Sequence, residues 1–329
     1  MIEVKHLTKR YGTHLAVSDL SFSIERGHVY GFLGPNGAGK STTMNIITGC
    51  LGATEGDVFI DGHNIFEEPT IAKAKVGYLP EIPPLYLDMT PEEHLKFVLA
   101  AKKVPRKLWR EQMEYAIEKT KLEPVCGRLV RNLSKGYKQR VGFAQALIGN
   151  PEVIILDEPT VGLDPAQIIE VRSLIRELGE KHTVILSSHI LSEVNAICDS
   201  ILIISKGKLV ANDTPENLTR RLSGTSMLSM QVRADEDAVR ALLSENTDAE
   251  SITYRHGEES GVTGFTLSAV GDLREKLFYL FANAQIPILE MKREQASLEE
   301  VFLELTNADE TVSVEDAVEE AAEKEASEE

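Results

Sequence analysis

The sequence predicts an α/β fold: a mainly parallel sheet with helices on both faces, an antiparallel β-layer before it, a helical insertion within it and a small α+β domain after it. Two kinds of segment carry that expectation. Short apolar runs ending in polar residues (VYGFL at 29–33, VIILDE at 153–158, TVILSSH at 183–189) alternate with stretches of helical period. Strands of that kind suit a parallel sheet with helical crossovers covering both faces. After about Leu222 the texture changes, and six segments order as strand, helix, strand, strand, helix, strand.

Taken in order, residues 2–32 alternate apolar and polar in stretches, IEVKHL and then AVSDLSFSIERGHVYGF. That pattern suits an antiparallel β-layer leading into the buried strand. Gly34-Pro35-Asn36-Gly37-Ala38-Gly39-Lys40-Ser41-Thr42 follows, a helix beginning at Gly39-Lys40 and running through TMNIIT. Residues 56–62 form a strand closed by a turn signal. Residues 76–81 form another that ends in a loop, because Pro80, Pro83 and Pro84 continue neither helix nor ladder.

Thr90-Pro91-Glu92-Glu93 is a capping signature, with Thr90 at the N-cap, Pro91 at the first helical position and Glu93 three residues on. Amphipathic segments at 106–121 and 134–148 complete the helical insertion. A helix is expected over 166–179, another through Cys198, and then a hairpin (SILIISKGKLVAND) turning at Lys206-Gly207. Ser-Gly-Thr-Ser at 223–226 reads as a linker. Beyond it, strands at 227–233, 251–256, 262–268 and 286–292 with helices at 236–245 and 272–284 match the split, ferredoxin-like order. A last helix is expected over 297–306. The chain thus divides into residues 1–222 (helical subdomain about 88–150), an accessory ferredoxin-like domain at 227–306, and an acidic tail at 307–329.

At 329 residues, with 42% hydrophobic and 26% charged, the chain has room for two domains and a substantial core. The net charge is −17, and residues 308–329 hold −9 of it. The mildly acidic body lacks the basic footprint that nucleic acid requires, so no nucleic-acid partner is expected. The tail reads as a solvated, disordered extension, with an acidic docking peptide as the alternative. Cys50, Cys126 and Cys198 are far apart and form no C-x-x-C pair, as in reduced cytosolic proteins. The N-terminus lacks an apolar signal core, and no run approaches the roughly 18–20 residues that span a bilayer. Any membrane role is expected to come through a partner.

Residues 34–42 fit G-x-x-x-x-G-K-[ST] between a strand and a helix. The glycines let backbone N–H groups approach a phosphate, and the helix N-terminus adds a favourable field. Lys40 would reach the β- and γ-phosphates, and the Ser41 hydroxyl would ligate Mg²⁺. Asp157 and Glu158 close a core strand; Asp157 would join the Mg²⁺ shell and Glu158 would polarise a water. Taken alone, such a pair is more often a structural cap; following a phosphate loop in the same sheet, it becomes a strong companion. His189 could touch the γ-phosphate, or be a satisfied loop residue. Tyr11, in Lys9-Arg10-Tyr11-Gly12, is a turn residue or a face for adenine. Ser134-Lys135-Gly136 opens a second helix suited to an anion. Two phosphate-directed helix ends on different subdomains are reconciled if this one serves the nucleotide of a second copy, head to tail.

This order of elements resembles the ATP-binding subunit of an ABC transporter over roughly residues 1–222, which implies a P-loop ATPase core. Tyr11 resembles the family's adenine-stacking aromatic and Gly34–Thr42 its Walker A loop. Leu133-Ser134-Lys135-Gly136-Tyr137 matches the LSGGQ signature at Leu, Ser and the second Gly. Val153–Glu158 resembles Walker B with its catalytic Glu, Gly162-Leu163-Asp164 the D-loop, and His189 the switch histidine. Glu81 stands where the family usually has the Q-loop glutamine; a carboxylate can still ligate Mg²⁺ but adds negative charge. Lys135 and Tyr137 replace a Gly and a Gln, and Lys135 either strengthens anion contacts across the dimer or is solvated. The accessory domain and SLEEVFLELT near the end look like the one-domain ATPases of bacterial export systems, whose permease is a separate protein.

The resemblance implies ATP and Mg²⁺ as cofactors, with Glu158 and His189 catalytic and Glu81, Ser134, Lys135, Gly136 and Asp164 among the nucleotide contacts. It also implies a head-to-tail homodimer on the cytoplasmic face of the membrane, driving an integral-membrane permease. The apolar loop Ile82-Pro83-Pro84-Leu85-Tyr86 is then either buried or a surface for that partner. The alternatives are ABC-type ATPases of translation, which normally carry two such domains, or of chromosome maintenance. The latter insert a long coiled coil, and residues 90–150 hold no sustained heptads.

Overall fold

Alternating burial along the first two strands sets the register of the antiparallel layer. β1 (Ile2–Tyr11) pairs with β2 (His14–Ile24), Ile2 opposite Ile24 and Val4 opposite Phe22, which turns the apolar side chains to one face. This computed structural model describes residues 1–222, 225–246, 249, 251–256, 261–270, 272–294 and 302. The chain divides into two compact units between Pro215 and Glu216.

In the first unit, β3 (Val29–Leu33) is buried at every position and runs into α1 (Lys40–Ile47). β4 (Glu55–Ile60) returns beside β1, and the two-residue β5 (His63–Asn64) completes a sheet ordered β2-β1-β4-β5. α2 (Pro69–Ala74) leads to β6 (Val76–Leu79). The helical insertion comprises α3 (Pro91–Ala101), α4 (Trp109–Lys119) and α5 (Lys135–Leu147). Thr90 and Glu93 form the expected reciprocal capping box. The main sheet resumes with β7 (Val153–Asp157), α6 (Pro165–Gly179), β8 (Thr183–Ser188), α7 (Leu191–Ile197), β9 (Ser200–Ser205) and β10 (Lys208–Asp213). Its order is β10-β9-β3-β8-β7-β6, with β10 antiparallel at one edge and the other neighbours parallel. Phe32, Ile155 and Ile185 of this sheet join Met44, Ile46 and Ile47 of α1 and Ile2, Val4 and Leu20 of the β-layer in one buried cluster.

α8 (Pro215–Leu222) spans the division, and the second unit continues as β11 (Thr225–Val232), α9 (Glu236–Asn246), β12 (Ser251–His256), β13 (Thr263–Val270), α10 (Arg274–Asn283) and β14 (Ile288–Glu294). Its antiparallel sheet is ordered β12-β13-β11-β14. Leu228, Met230, Val232, Phe265 and Leu267 pack there against Val239 and Leu243 of α9 and Leu277 and Phe281 of α10. Every second strand residue and every third or fourth helix residue thus meet in one core.

Among the described residues, two α-helices differ from the sequence expectation. α2 is too short to show a period, and α8 lies where the first domain was expected to end. The linker read at 223–226 is also corrected in part, since Thr225 and Ser226 pair with Val270 and Ala269 as the start of β11. The helix expected at 297–306, save Phe302, and the tail at 307–329 lie outside the described residues.

Candidate functional site

The parallel strands end along one edge of the main sheet, and the loops that leave them there carry the polar residues. From β3 the chain turns through Gly34 to Gly39. A Cβ on Gly34 would collide with the Ile204 carbonyl oxygen; one on Gly39 would lie 2.5 Å from the Ala16 oxygen, at a φ of +103°. Both positions therefore require glycine. Ala38 is buried, whereas Pro35, Asn36, Gly37 and Ser41 are exposed and Thr42 is half-buried. An open loop capped by a helix N-terminus results, the arrangement that receives phosphate.

Lys40 is 7% exposed, and its Nζ donates to the carbonyl oxygens of Gly34 (2.8 Å) and Pro35 (3.2 Å). Burial pushes its pKa down, while Glu158 and Asp157 pull it back up. Ser41 Oγ lies 3.4 Å from Asp157 Oδ1, so the first turn of α1 and the end of β7 meet. Glu158, next along the chain, has φ +48° and is 9% exposed; its Oε2 is 2.9 Å from Nδ1 of His189, just past β8. Asp157, Glu158, Ser41 and His189 thus converge at the ends of three adjacent strands.

Ser187 was not read from the sequence as a functional residue. Its fully buried Oγ accepts from the Glu158 amide at 3.0 Å and donates to Asp157 Oδ1. The Glu158–Thr160 segment has two further partners: Gln139 Nε2 donates to the Pro159 oxygen (3.0 Å), and Thr160 Oγ1 donates to Glu193 Oε2 (2.6 Å). Tyr78 donates to Asn45 Oδ1, and burial, with Asp157 second, raises its phenol pKa. Glu193 lies in the first turn of α7 and is buried, and nothing in LSEVNAI marks it in the sequence for this network.

The other expected residues lie on other elements. Tyr11 is 48% exposed at the end of β1, with Lys9 Nζ 5.3 Å from its ring centroid. Glu81 is exposed on the loop after β6. Ser134 caps α5, its Oγ accepting from Tyr137 N–H at 3.3 Å, and Lys135 is exposed beside it. Gly136 is buried so closely that a Cβ would lie 2.6 Å from Gln167 Oε1. Asp164 caps α6, accepting from Gln167 N–H at 2.9 Å. Among the described residues, no group of three or more His, Cys, Asp or Glu forms a metal cage. The Ser41 hydroxyl and Asp157 carboxylate nevertheless supply oxygen donors of the kind a hard divalent cation takes together with phosphate oxygens.

The sequence model of the family described as ABC transporter matches residues 17–161. The bacitracin transport ATP-binding protein BcrA of Bacillus licheniformis is 34% identical over 307 residues, covering 93% of this chain and 97% of that protein. The Nod factor export ATP-binding protein I of Ralstonia nicotianae (strain ATCC BAA-1114 / GMI1000) is 33% identical over 317 residues, covering 93% and 94%. Among solved structures, the dimeric post-hydrolysis state of the ATP-binding cassette MJ0796 bound to ADP and Pi superposes with a TM-score of 0.60 at 26% identity, covering 65% of this chain and 98% of that one.

Proposed function

The chain belongs to the ATP-binding proteins of ABC transporters, and from that premise we propose that two copies close head to tail on two Mg·ATP to drive a separate permease. The observation that carries the reading is the convergence of Ser41 on Asp157 and of Glu158 on His189 at one sheet edge. Lys40 exchanges its two loop carbonyls for β- and γ-phosphate oxygens. Ser41 and Asp157, joined by Glu81 from the loop after β6, would hold Mg²⁺, which would neutralise charge on the phosphates. Glu158 polarises the attacking water and takes up its proton as the bond to the leaving ADP oxygen breaks. His189 fixes the Glu158 carboxylate and faces the γ-phosphate. Tyr11 stacks on adenine, and Gly34, Pro35, Asn36, Gly37, Ala38, Gly39 and Thr42 line the phosphates. Ser134, Lys135 and Gly136 of one copy face the γ-phosphate held by the other, with Asp164 beside them. The dimeric MJ0796 neighbour supports this pairing of copies.

No described helix is long and apolar enough to cross a membrane. In this reading the protein lies at the cytoplasmic face of the membrane, held by its permease. The loop after Glu81 presents Ile82 (82% exposed), Tyr86 and Leu87, and α3 adds Phe97, whose ring packs edge-on against Tyr86 at 4.8 Å. An apolar patch of this kind, on the loop that carries Glu81, suits a membrane partner. The names of the bacitracin and Nod factor relatives support export. The strand order of the second unit supports a ferredoxin-like accessory domain at 227–306.

Glu158→Gln tests the reading. ATP binding should persist, turnover should nearly vanish, and ATP should trap a dimer visible by size-exclusion chromatography with light scattering. Steady-state hydrolysis at the wild-type rate would reject the assigned role.

A further inference from the structure

One face of α5 runs along the loop between β7 and α6, the start of α6 and the loop after β6. Gly136 in its first turn packs on Gln167 of α6, and Lys135 lies across Gly162, so that a Cβ on Gly162 would strike its ammonium. A turn later, Gln139 (6% exposed) donates through Nε2 to the Pro159 carbonyl at 3.0 Å. Another turn on, a Cβ on Gly142 would lie 2.5 Å from Leu79 and 3.0 Å from Pro83, at the loop that carries Glu81. Positions 136, 139 and 142 repeat at helical spacing on one side. Of these contacts, only the Gln139 bond reaches the segment that bears Glu158.

We infer that Gln139 is a positioning residue that ties the signature helix to the Glu158 segment, so that a load taken at Ser134–Gly136 reaches the general base of the same chain. Pro159 has no N–H, so at that residue its carbonyl is the backbone group by which the segment is held. Glu158 sits at φ +48° immediately before it, in a conformation that its surroundings must enforce. Ser187 fixes one end of the segment and Glu193 the other, both from β8 and α7. Gln139 alone of the three comes from the helix whose N-terminus faces the partner's nucleotide. The inference rests on the head-to-tail reading: there, Ser134 engages one ATP while Glu158 acts on the other, and this amide joins the two sites.

The test uses the full chain with Gln139→Leu, and Gln139→Met as a longer apolar replacement should the first not fold. Both remove the donor while keeping an apolar fill. Expected is a fall in kcat of about ten- to a hundredfold with KM for ATP changed little, as for a slightly misplaced catalytic group. Placed on the Glu158→Gln background, where the base is already removed, the substitution should leave ATP-driven dimerisation within about twofold of the parent. A kcat near wild type would overturn the inference. So would parallel losses of kcat and of dimer affinity, which would mark a structural role in closure. Failure of the Glu158→Gln parent to dimerise with ATP would instead sink the head-to-tail reading itself.

Discussion

Removing one oxygen, in Ser187→Ala, separates the support of Glu158, the proposed general base, from that residue itself. The Ser187 hydroxyl is fully buried, accepts from the Glu158 amide at 3.0 Å and donates to the Asp157 carboxylate. Its loss leaves a buried N–H without that acceptor, worth about 1–3 kcal/mol, and removes a bond to a charged group worth about 1.5–3 kcal/mol. The two overlap, because one cavity and one relaxation serve both. Glu158, at φ +48°, recovers about 1–2 kcal/mol if it leaves the left-handed region. A net destabilisation of about 2–3 kcal/mol follows, measurable by urea unfolding without nucleotide. If about half of that falls on alignment of the carboxylate, kcat drops roughly tenfold. ATP affinity should hold, since Lys40 and the loop amides are untouched. A variant within about 0.5 kcal/mol of wild type, with kcat unchanged, would refute the claim that Ser187 holds the base.

Gly39→Ala should cost about 2–3 kcal/mol and weaken nucleotide binding, because its φ is +103° and the new Cβ meets the Ala16 oxygen at 2.5 Å; thermal melting with and without ATP checks both. Asp61 accepts from Lys75 Nζ at 2.8 Å and from Arg26, which hold its carboxyl well below the usual carboxylate range. A folded-state pKa lowered in this way stabilises above the unfolded pKa and is lost as pH falls through the folded one. Asp61→Asn should therefore cost about 1 kcal/mol at neutral pH, a difference that shrinks as pH falls below about 4 in parallel denaturation series.

The phosphate loop and the Asp157-Glu158 strand end were legible because each requirement is local: a glycine where no Cβ fits, a carboxylate pair where an apolar run stops. Antiparallel and parallel strands were legible from their periods, as was the Thr90 cap from four consecutive residues. What stayed hidden is non-local. Gln139 and Pro159 are 20 residues apart, and nothing in GYKQRV distinguishes a glutamine aimed at a backbone carbonyl from one facing water. Ser187 reads as one more small residue in TVILSSH, and only the neighbouring β7 gives its hydroxyl two partners. α2 escaped because six residues span too few turns to show a period, and α8 because it runs up to the position read as the end of the first domain. Lys135 was open between a phosphate contact and solvation; its place across Gly162 was foreseen in neither reading.

The strand order of the main sheet also sets when this molecule becomes able to hold its ligand during synthesis. β3, which delivers the phosphate loop, lies between β8 and β9, and the Val29 amide bonds Asp199 across 170 residues of sequence. At roughly 5–20 residues per second, the loop leaves the ribosome on the order of ten seconds or more before both neighbouring strands exist. During that interval Ser41 has no Asp157 and β3 has unpaired edges on both sides. ATP therefore favours only chains whose synthesis has passed β9, and it acts on the late, non-local step of folding rather than on the β-layer that emerges first.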